Sequence, residues 1–187
     1  MTTKQQLRLK MRKIRQSLSL AGQHQAAELF KKQLINSKAL NSAKHIALYL
    51  PHDGEINLTP TLHWLWQQQK QCYLPIVPTT GKVLTFGHYE KNTTLTANHY
   101  GIHEPVTEHI LKPSQLDAVL LPLVAFDNVG NRLGMGGGYY DSSFAKLTDQ
   151  VTLIGCAHHA QQLEALPINS WDLPVHAIIT DQCFYIF

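Results

Sequence analysis

Apolar and polar positions alternate along the chain in two distinct rhythms. In residues 4–18, Leu7, Met11, Ile14 and Leu18 are spaced 4, 3 and 4 apart. That spacing predicts a helix with one apolar face. Lys4, Arg8, Arg12 and Arg15 form a basic stripe beside it, three residues out of step, at the boundary between helix and core. Ser19 is placed to cap a second helix near 20–35, with Ala26, Leu29, Phe30 and Leu34 among its apolar residues. Beyond the linker 36–44 the rhythm changes. HIALYL (45–50), CYLPIV (72–77), VLTFGHY (83–89), DAVLLPLVAF (117–126), VTLIGCA (151–157) and VHAIITD (175–181) read as strands, and QCFYIF closes the chain. The run at 117–126 lacks polar alternation, as expected of one central strand buried on both faces. A helix is predicted over 58–69, with Leu58, Leu62, Leu65 and Trp66 inward, and the polar stretch 90–115 reads as irregular. Strands alternating with helices imply an α/β fold, a three-layer α/β/α sandwich around a mostly parallel or mixed sheet.

Composition narrows the class. The chain has 187 residues, 44% hydrophobic and 16% charged, so one domain over 1–187 with a sizeable core is expected. No apolar run reaches membrane-spanning length, and MTTKQQLRLK lacks the apolar core of an export signal. Cys72, Cys156 and Cys183 are isolated, which suits reduced thiols in a cytoplasmic protein. Eleven histidines show no zinc-like spacing and read as surface or packing residues. Charge is asymmetric: residues 1–44 hold ten Lys/Arg and one acid, Glu28. Such an arm suits either a phosphate-bearing partner or a solvated helix that offsets an acidic body.

GNRLGMGGGYYD (130–141) follows the strongest strand and holds five of the chain's eleven glycines. Ligands of open α/β sheets bind beyond the carboxyl ends of strands, and glycines there let backbone N–H groups approach an anion. Gly134, Gly136, Gly137 and Gly138 beside Arg132 favour phosphate binding over a plain turn. No Gly-Lys-Ser/Thr follows, so this is not a P-loop, and Tyr139 stands where a dinucleotide fingerprint needs its third glycine.

RLGMGGGYYD resembles the signature of the 5-formyltetrahydrofolate cyclo-ligase (5,10-methenyltetrahydrofolate synthetase) family at every fixed position: Arg132, Gly134, Gly136, Gly138, Tyr139, Tyr140 and Asp141. The resemblance runs nearly end to end, through Lys4 and Arg8, YLPHDGEIN, YGIHEP (100–105), LLPLVAFD, Pro167, Asp172 and IITD. The chain departs from the family pattern at Asn57 and Leu58, where Asp-Thr is common, and at Asn169 and Ser170, where an acid is common.

The resemblance implies an enzyme that converts 5-formyltetrahydrofolate, ATP and magnesium to 5,10-methenyltetrahydrofolate, ADP and phosphate. Phosphorylation of the formyl oxygen makes it a leaving group, and nitrogen 10 of the folate closes the ring. Such a reaction rests on positioning and electrostatics. By resemblance, Arg132 and Tyr139 are catalytic. Lys4, Arg8, Arg132, Leu133, Gly134, Met135, Gly136, Gly137, Gly138, Tyr139 and Tyr140 bind ATP. Leu50, Glu55, Met135, Gly136, Gly137, Gly138 and Tyr139 contact the folate, Glu55 through pterin N–H groups. Asp141 and Asp172 serve the magnesium, for which two carboxylates suffice beside waters and phosphate. Read without the resemblance, Asp141 is a helix N-cap, Asp172 and Glu55 are turn acids facing solvent, and Tyr139 packs a helix on the sheet. Arg12 and Arg15 are expected to be solvated. A monomer is expected, without nucleic-acid or membrane partners. The alternatives are a divergent family member with another acceptor and a protein that binds nucleic acid through its basic helix.

Overall fold

The computed structural model describes residues 3–169 and 171–187. Ser170, one of the departures above, lies outside the described residues. Along the chain run α1 (Lys4–Gln16), α2 (Leu20–Ser37), β1 (His45–Ala47), α3 (Thr59–Gln67), β2 (Gln71–Ile76) and β3 (Thr85–His88). There follow β4 (Leu95–Ala97), β5 (His103–Pro105), β6 (Ile110–Leu111), β7 (Ala118–Pro122), β8 (Ala125–Phe126), β9 (Arg132–Leu133) and α4 (Tyr139–Phe144). The last three are β10 (Thr152–Cys156), β11 (Ala177–Ile179) and β12 (Phe184–Ile186).

Eight strands form the main sheet, in the order β12-β11-β10-β7-β1-β2-β3-β6. The five from β11 to β2 are parallel, and the edges are antiparallel. Side-chain alternation divides the core between the two faces. Ile46, Leu120 and Ile154 pack with Phe30 and Leu34 of α2 and Leu62 and Leu65 of α3. Ala47, Val119, Leu121 and Leu153 pack with Phe144 of α4 on the other face. The expected three-layer α/β/α arrangement is therefore present, with a mixed sheet.

Helix starts follow local chemistry. Thr3 and Gln6 make a capping box at α1, and the Ser19 hydroxyl accepts from the Gly22 N–H at α2. Met11 of α1 is buried against Val124, Ala125, Leu133 and Leu166, with Leu7 and Ile14 half-buried beside it. Leu29 of α2 is exposed.

Two expectations fail. The run 117–126 is not one strand: β7 ends at Pro122, and β8 pairs instead with β9 in a separate two-stranded sheet. At the break, the Leu123 carbonyl accepts from Arg15 and Gln161, and the Val124 carbonyl from Gln161. Side chains satisfy the backbone there, so it can leave the sheet. The stretch 90–115 is not wholly irregular, since β4 and β5 form a hairpin and β6 extends the sheet edge. Glu104, buried, anchors the hairpin by accepting from the Val77 N–H and the Asn98 side chain. These strands are two or three residues long, too short for a period-2 apolar signal to mark them.

Leu120 is fully buried at the sheet centre, whereas Leu20 is 78% exposed. Leu120→Ala is expected to lower stability by about 3 kcal/mol. Leu20→Ala should change it by less than about 0.5 kcal/mol. Urea unfolding of the two variants measures the difference.

Candidate active site

The parallel strands point their carboxyl ends to one edge. From β1 the chain crosses through α3 to β2 on one side, whereas β7 joins β1 on the other, and ligands bind outside such a switch point. A cavity of about 1140 Å³ opens there. It is bordered by every residue to which the sequence assigned a site role: Lys4, Arg8, Leu50, Glu55, Asp172 and the whole run from Arg132 to Asp141.

The glycine loop is held from both ends. Upstream, buried Asp127 accepts from the Val129 and Asn131 N–H groups and closes the turn that presents β9. Downstream, Ser143 bonds to the Tyr139 carbonyl and accepts from the Leu84 N–H, which fixes α4. Gly136 has φ +102°, and a Cβ there would stand 3.4 Å from the Arg8 guanidinium carbon. That backbone conformation favours glycine, while the space beside it would admit a Cβ at ordinary contact distance. Arg8 itself donates from Nε to the Gly134 carbonyl at 2.8 Å.

Arg132 and Asp141 face each other, with both guanidinium Nη atoms on Asp141 Oδ1 at 3.1 and 2.9 Å. Burial pulls the Arg132 pKa down against the support of Asp141. Arg132 Nε is buried and has no hydrogen-bond partner among the described residues. An unsatisfied donor of that kind invites an anionic acceptor. Asp141 is the third residue of α4 and Gly138 caps the helix, so Asp141 is not its N-cap. Asp172 is ion-paired with Lys4 and also accepts from the Asn169 N–H. Burial acts to raise its pKa, but these contacts outweigh it and hold the carboxyl below its ordinary range. Asp141 Oδ1 also accepts from the N–H of Leu173, the residue after Asp172, which ties the segment that carries Asp172 to α4. Two aspartates bordering one cavity beside a glycine loop fit the chemistry of a magnesium ion, which takes few carboxylates with waters and phosphate oxygens. Among the described residues, no group of three or more His, Cys, Asp or Glu could hold a metal.

Across the cavity, Tyr139 meets Tyr100 of the β4–β5 turn, hydroxyl to hydroxyl at 2.8 Å. Leu50 is half-buried just past β1. Glu55 is not a solvent-facing acid. Its side chain is 11% exposed, its Oε2 accepts from the His52 N–H, and burial pushes its pKa up to about 7.

The basic stripe is not a solvated face. Arg15 is 1% exposed, and Nε and Nη2 donate to the Asp53 carbonyl and carboxylate, both at 2.7 Å. Arg12 grips the same carboxylate through Nε at 2.6 Å and Nη2 at 3.1 Å. The Arg12 hydrogen bond is the main cause holding the Asp53 pKa far below its ordinary value. The expectation that Arg15 is solvated is thus overturned, because Asp53, distant in sequence, folds onto it; Arg12 pairs with the same carboxylate but keeps a side chain 36% exposed. Sequence reading missed this pair, as it missed Tyr100 as a partner of Tyr139. Of the histidines, His158 is buried and places Nε2 3.2 Å from the Gly54 carbonyl, a packing role.

Buried Glu55 gives a stability signature. Its folded pKa lies above its ordinary value of 4.5, so the folded state holds the proton longer than the unfolded chain. Stability therefore falls as pH rises from about 4.5 to about 7 and levels off above. Glu55→Gln removes that titration. The variant should match the native chain near pH 4 and exceed it by about 3 kcal/mol at pH 8. Thermal unfolding at the two pH values checks this, and equal differences at both would contradict it.

Comparison with known proteins gives consistent matches. The model of the 5-formyltetrahydrofolate cyclo-ligase family matches residues 1–181. The 5-formyltetrahydrofolate cyclo-ligase of Haemophilus influenzae is 40% identical over 180 residues, 94% of this chain and 96% of that protein. The protein of that name from Escherichia coli K12 is 34% identical over 174 residues, 91% and 96% of the two chains. The NMR structure of Aquifex aeolicus 5,10-methenyltetrahydrofolate synthetase superposes with a TM-score of 0.79 at 32% identity, over 99% of this chain and 93% of that one. The 5,10-methenyltetrahydrofolate synthetase from Mycoplasma pneumoniae gives 0.78 at 27% identity, over 96% and 99%. With its glycine-loop motif, its fold and nearly its whole length matched, the chain belongs to the 5-formyltetrahydrofolate cyclo-ligase family.

Proposed function

We propose that this chain is a ligase that cyclises 5-formyltetrahydrofolate to 5,10-methenyltetrahydrofolate at the expense of ATP, with magnesium, in one domain spanning residues 1–187. The observation that carries the reading is one cavity lined both by the glycine loop with Lys4, Arg8 and Arg132 and by Leu50 and Glu55. Two reactants must lie side by side for a phosphoryl group to pass between them, and one cavity with two chemically distinct parts suits that task.

In this reading the loop 134–138 lines its N–H groups along the nucleotide phosphates, and Gly136 keeps them clear of side chains. Arg8 closes the loop from α1. Arg132 turns its unpartnered Nε to the phosphoryl group and steadies charge as it moves. Asp141 and Asp172 would hold magnesium, which supplies neutralisation of phosphate charge when bound. Tyr139 and Tyr100 offer aromatic surface to a flat ring, and Glu55 accepts from pterin N–H groups. ATP supplies the phosphoryl group that turns the formyl oxygen into a leaving group. Nitrogen 10 then forms its bond to the formyl carbon, the carbon–oxygen bond breaks and phosphate departs.

The chain is proposed to act as a monomer, since no step of this reading calls for a second copy. Its three free cysteines suit a reducing, cytoplasmic setting. Among the described residues no helix is long and apolar enough to cross a membrane. Arg15 is buried and Arg12 is neutralised by Asp53, which weakens the basic stripe that a nucleic-acid reading needs.

The direct assay follows methenyltetrahydrofolate absorbance with purified chain, 5-formyltetrahydrofolate, ATP and magnesium. Product should form only with all three added, and its absence under those conditions would end the proposal. Within that assay, Arg8→Ala should raise the KM for ATP roughly ten- to a hundredfold, the scale of a charge-assisted contact. Exposed Lys10, on the outer side of the same helix, is the control, and Lys10→Ala should leave KM unchanged. Asp141→Asn should raise the magnesium concentration needed for half-maximal rate, whereas an unchanged requirement would leave Asp141 only a partner of Arg132.

A further inference from the structure

Arg15 is the largest fully buried side chain in the protein, and the reaction outlined above makes no use of it. It lies seven residues after Arg8, two turns along the same face of α1, and its guanidinium reaches three parts of the site. Nε and Nη2 hold the 52–55 turn through Asp53, and Nη1 lies 3.3 Å from the Leu123 carbonyl where β7 ends. Nη2 is also 3.9 Å from the sulfur of Met135 in the glycine loop and 3.8 Å from Glu55 Oε1. The turn is fitted to the helix closely. Gly54 has φ +76°, and a Cβ there would stand 3.1 Å from the Arg15 carbonyl.

Glu55 is divided by this arrangement. Oε2 is occupied by the His52 N–H at 3.1 Å. Oε1 faces Arg15 at a separation that attracts but does not bond, so its lone pairs stay free. We propose that Arg15 is a positioning residue for substrate binding: it fixes the 52–55 turn and holds Glu55 as a carboxylate whose Oε1 is open to N–H donors of the folate ring. This rests on the reading of Glu55 as a folate contact.

The consequence is pH-dependent capture. An ionised carboxylate accepts from ring N–H groups; a protonated one presents its own O–H donor. Burial favours the protonated form and sets the midpoint at about 7, Arg15 opposes burial, and Asp53 adds to it. The tyrosines and the cysteine that face Glu55 stay neutral around this midpoint. Tyr49 at the end of β1, Tyr140 of α4 and Cys156 of β10 are all pushed up by burial, and burial holds His158, packed on Gly54, low. His52 on the turn contributes its backbone N–H. Arg15 and Asp53 therefore move the same midpoint in opposite directions.

Calorimetric titration with 5-formyltetrahydrofolate alone, from about pH 5 to about pH 9, reads the midpoint without turnover. In the native chain, affinity should rise through neutral pH and then level off. Arg15→Gln should move the rise to higher pH by a unit or more, so binding is about tenfold weaker at pH 7 and recovers under alkaline conditions. Arg15→Lys keeps the charge and should restore most of the native profile. Asp53→Asn should move the rise to lower pH, and asparagine tolerates the φ of +54° at that position. Glu55→Gln should give a flat profile. A native-like profile for Arg15→Gln, or weakening by one factor at every pH, would overturn the proposal. Should Arg15→Gln not fold, the direction seen with Asp53→Asn decides alone: an acid shift supports the proposal, and no shift overturns it. Absence of 5-formyltetrahydrofolate binding by the native chain at every pH would instead fail the functional reading beneath it.

Discussion

A guanidinium sealed inside a protein must have its charge and its donors satisfied where it lies, and Arg15 imposes that requirement on this fold. The partners that meet it come from the turn after β1 and the break after β7, and the glycine loop touches the same group through Met135. Each of these segments walls the cavity. The helix that carries Arg8 to the glycine loop is thus fixed to the turn that carries Glu55. The two ends of the site cannot be placed independently. Asp53 makes the arrangement tolerable by answering Arg12 and Arg15 together, and its left-handed backbone aims the carboxylate at both.

The opposite end of the cavity follows a different rule. Lys4 stands against Asp172 and Arg132 against Asp141, each cation beside a carboxylate. Paired charges of this kind avoid repulsion within a crowded basic site and, in the proposed reading, leave carboxylates for a divalent cation. Among the described residues Arg132 Nε finds no acceptor. A buried donor without an acceptor costs free energy, and stored cost of that sort is found where a ligand completes the site.

Much of this was legible in the sequence. The 4-3-4 spacing of α1, the cap at Ser19 and the glycine run each act locally, so a local reading recovers them. Arg15 was not legible, because its fate depends on Asp53, which reaches it only through the fold. The one hint was the stripe's offset from the apolar face, which set it at the core boundary. The break after Pro122 was hidden for a similar reason. DAVLLPLVAF is uniformly apolar, and the side chains that release its carbonyls, Arg15 and Gln161, lie far away in the chain. The β4–β5 hairpin escaped because it is held by Glu104 rather than by an apolar pattern. Glu55 read as exposed since nothing within its own turn reveals what covers it.

The central claim is that one cavity seats nucleotide and folate together, with α1 serving both ends. A crystal structure of the chain with magnesium, a non-hydrolysable ATP analogue and 5-formyltetrahydrofolate tests it most directly. The triphosphate is predicted along Gly134–Gly138 in contact with Arg8 and Arg132, and the pterin against Glu55 Oε1. A nucleotide bound away from the glycine loop, or a folate with no contact to Glu55, would contradict the account.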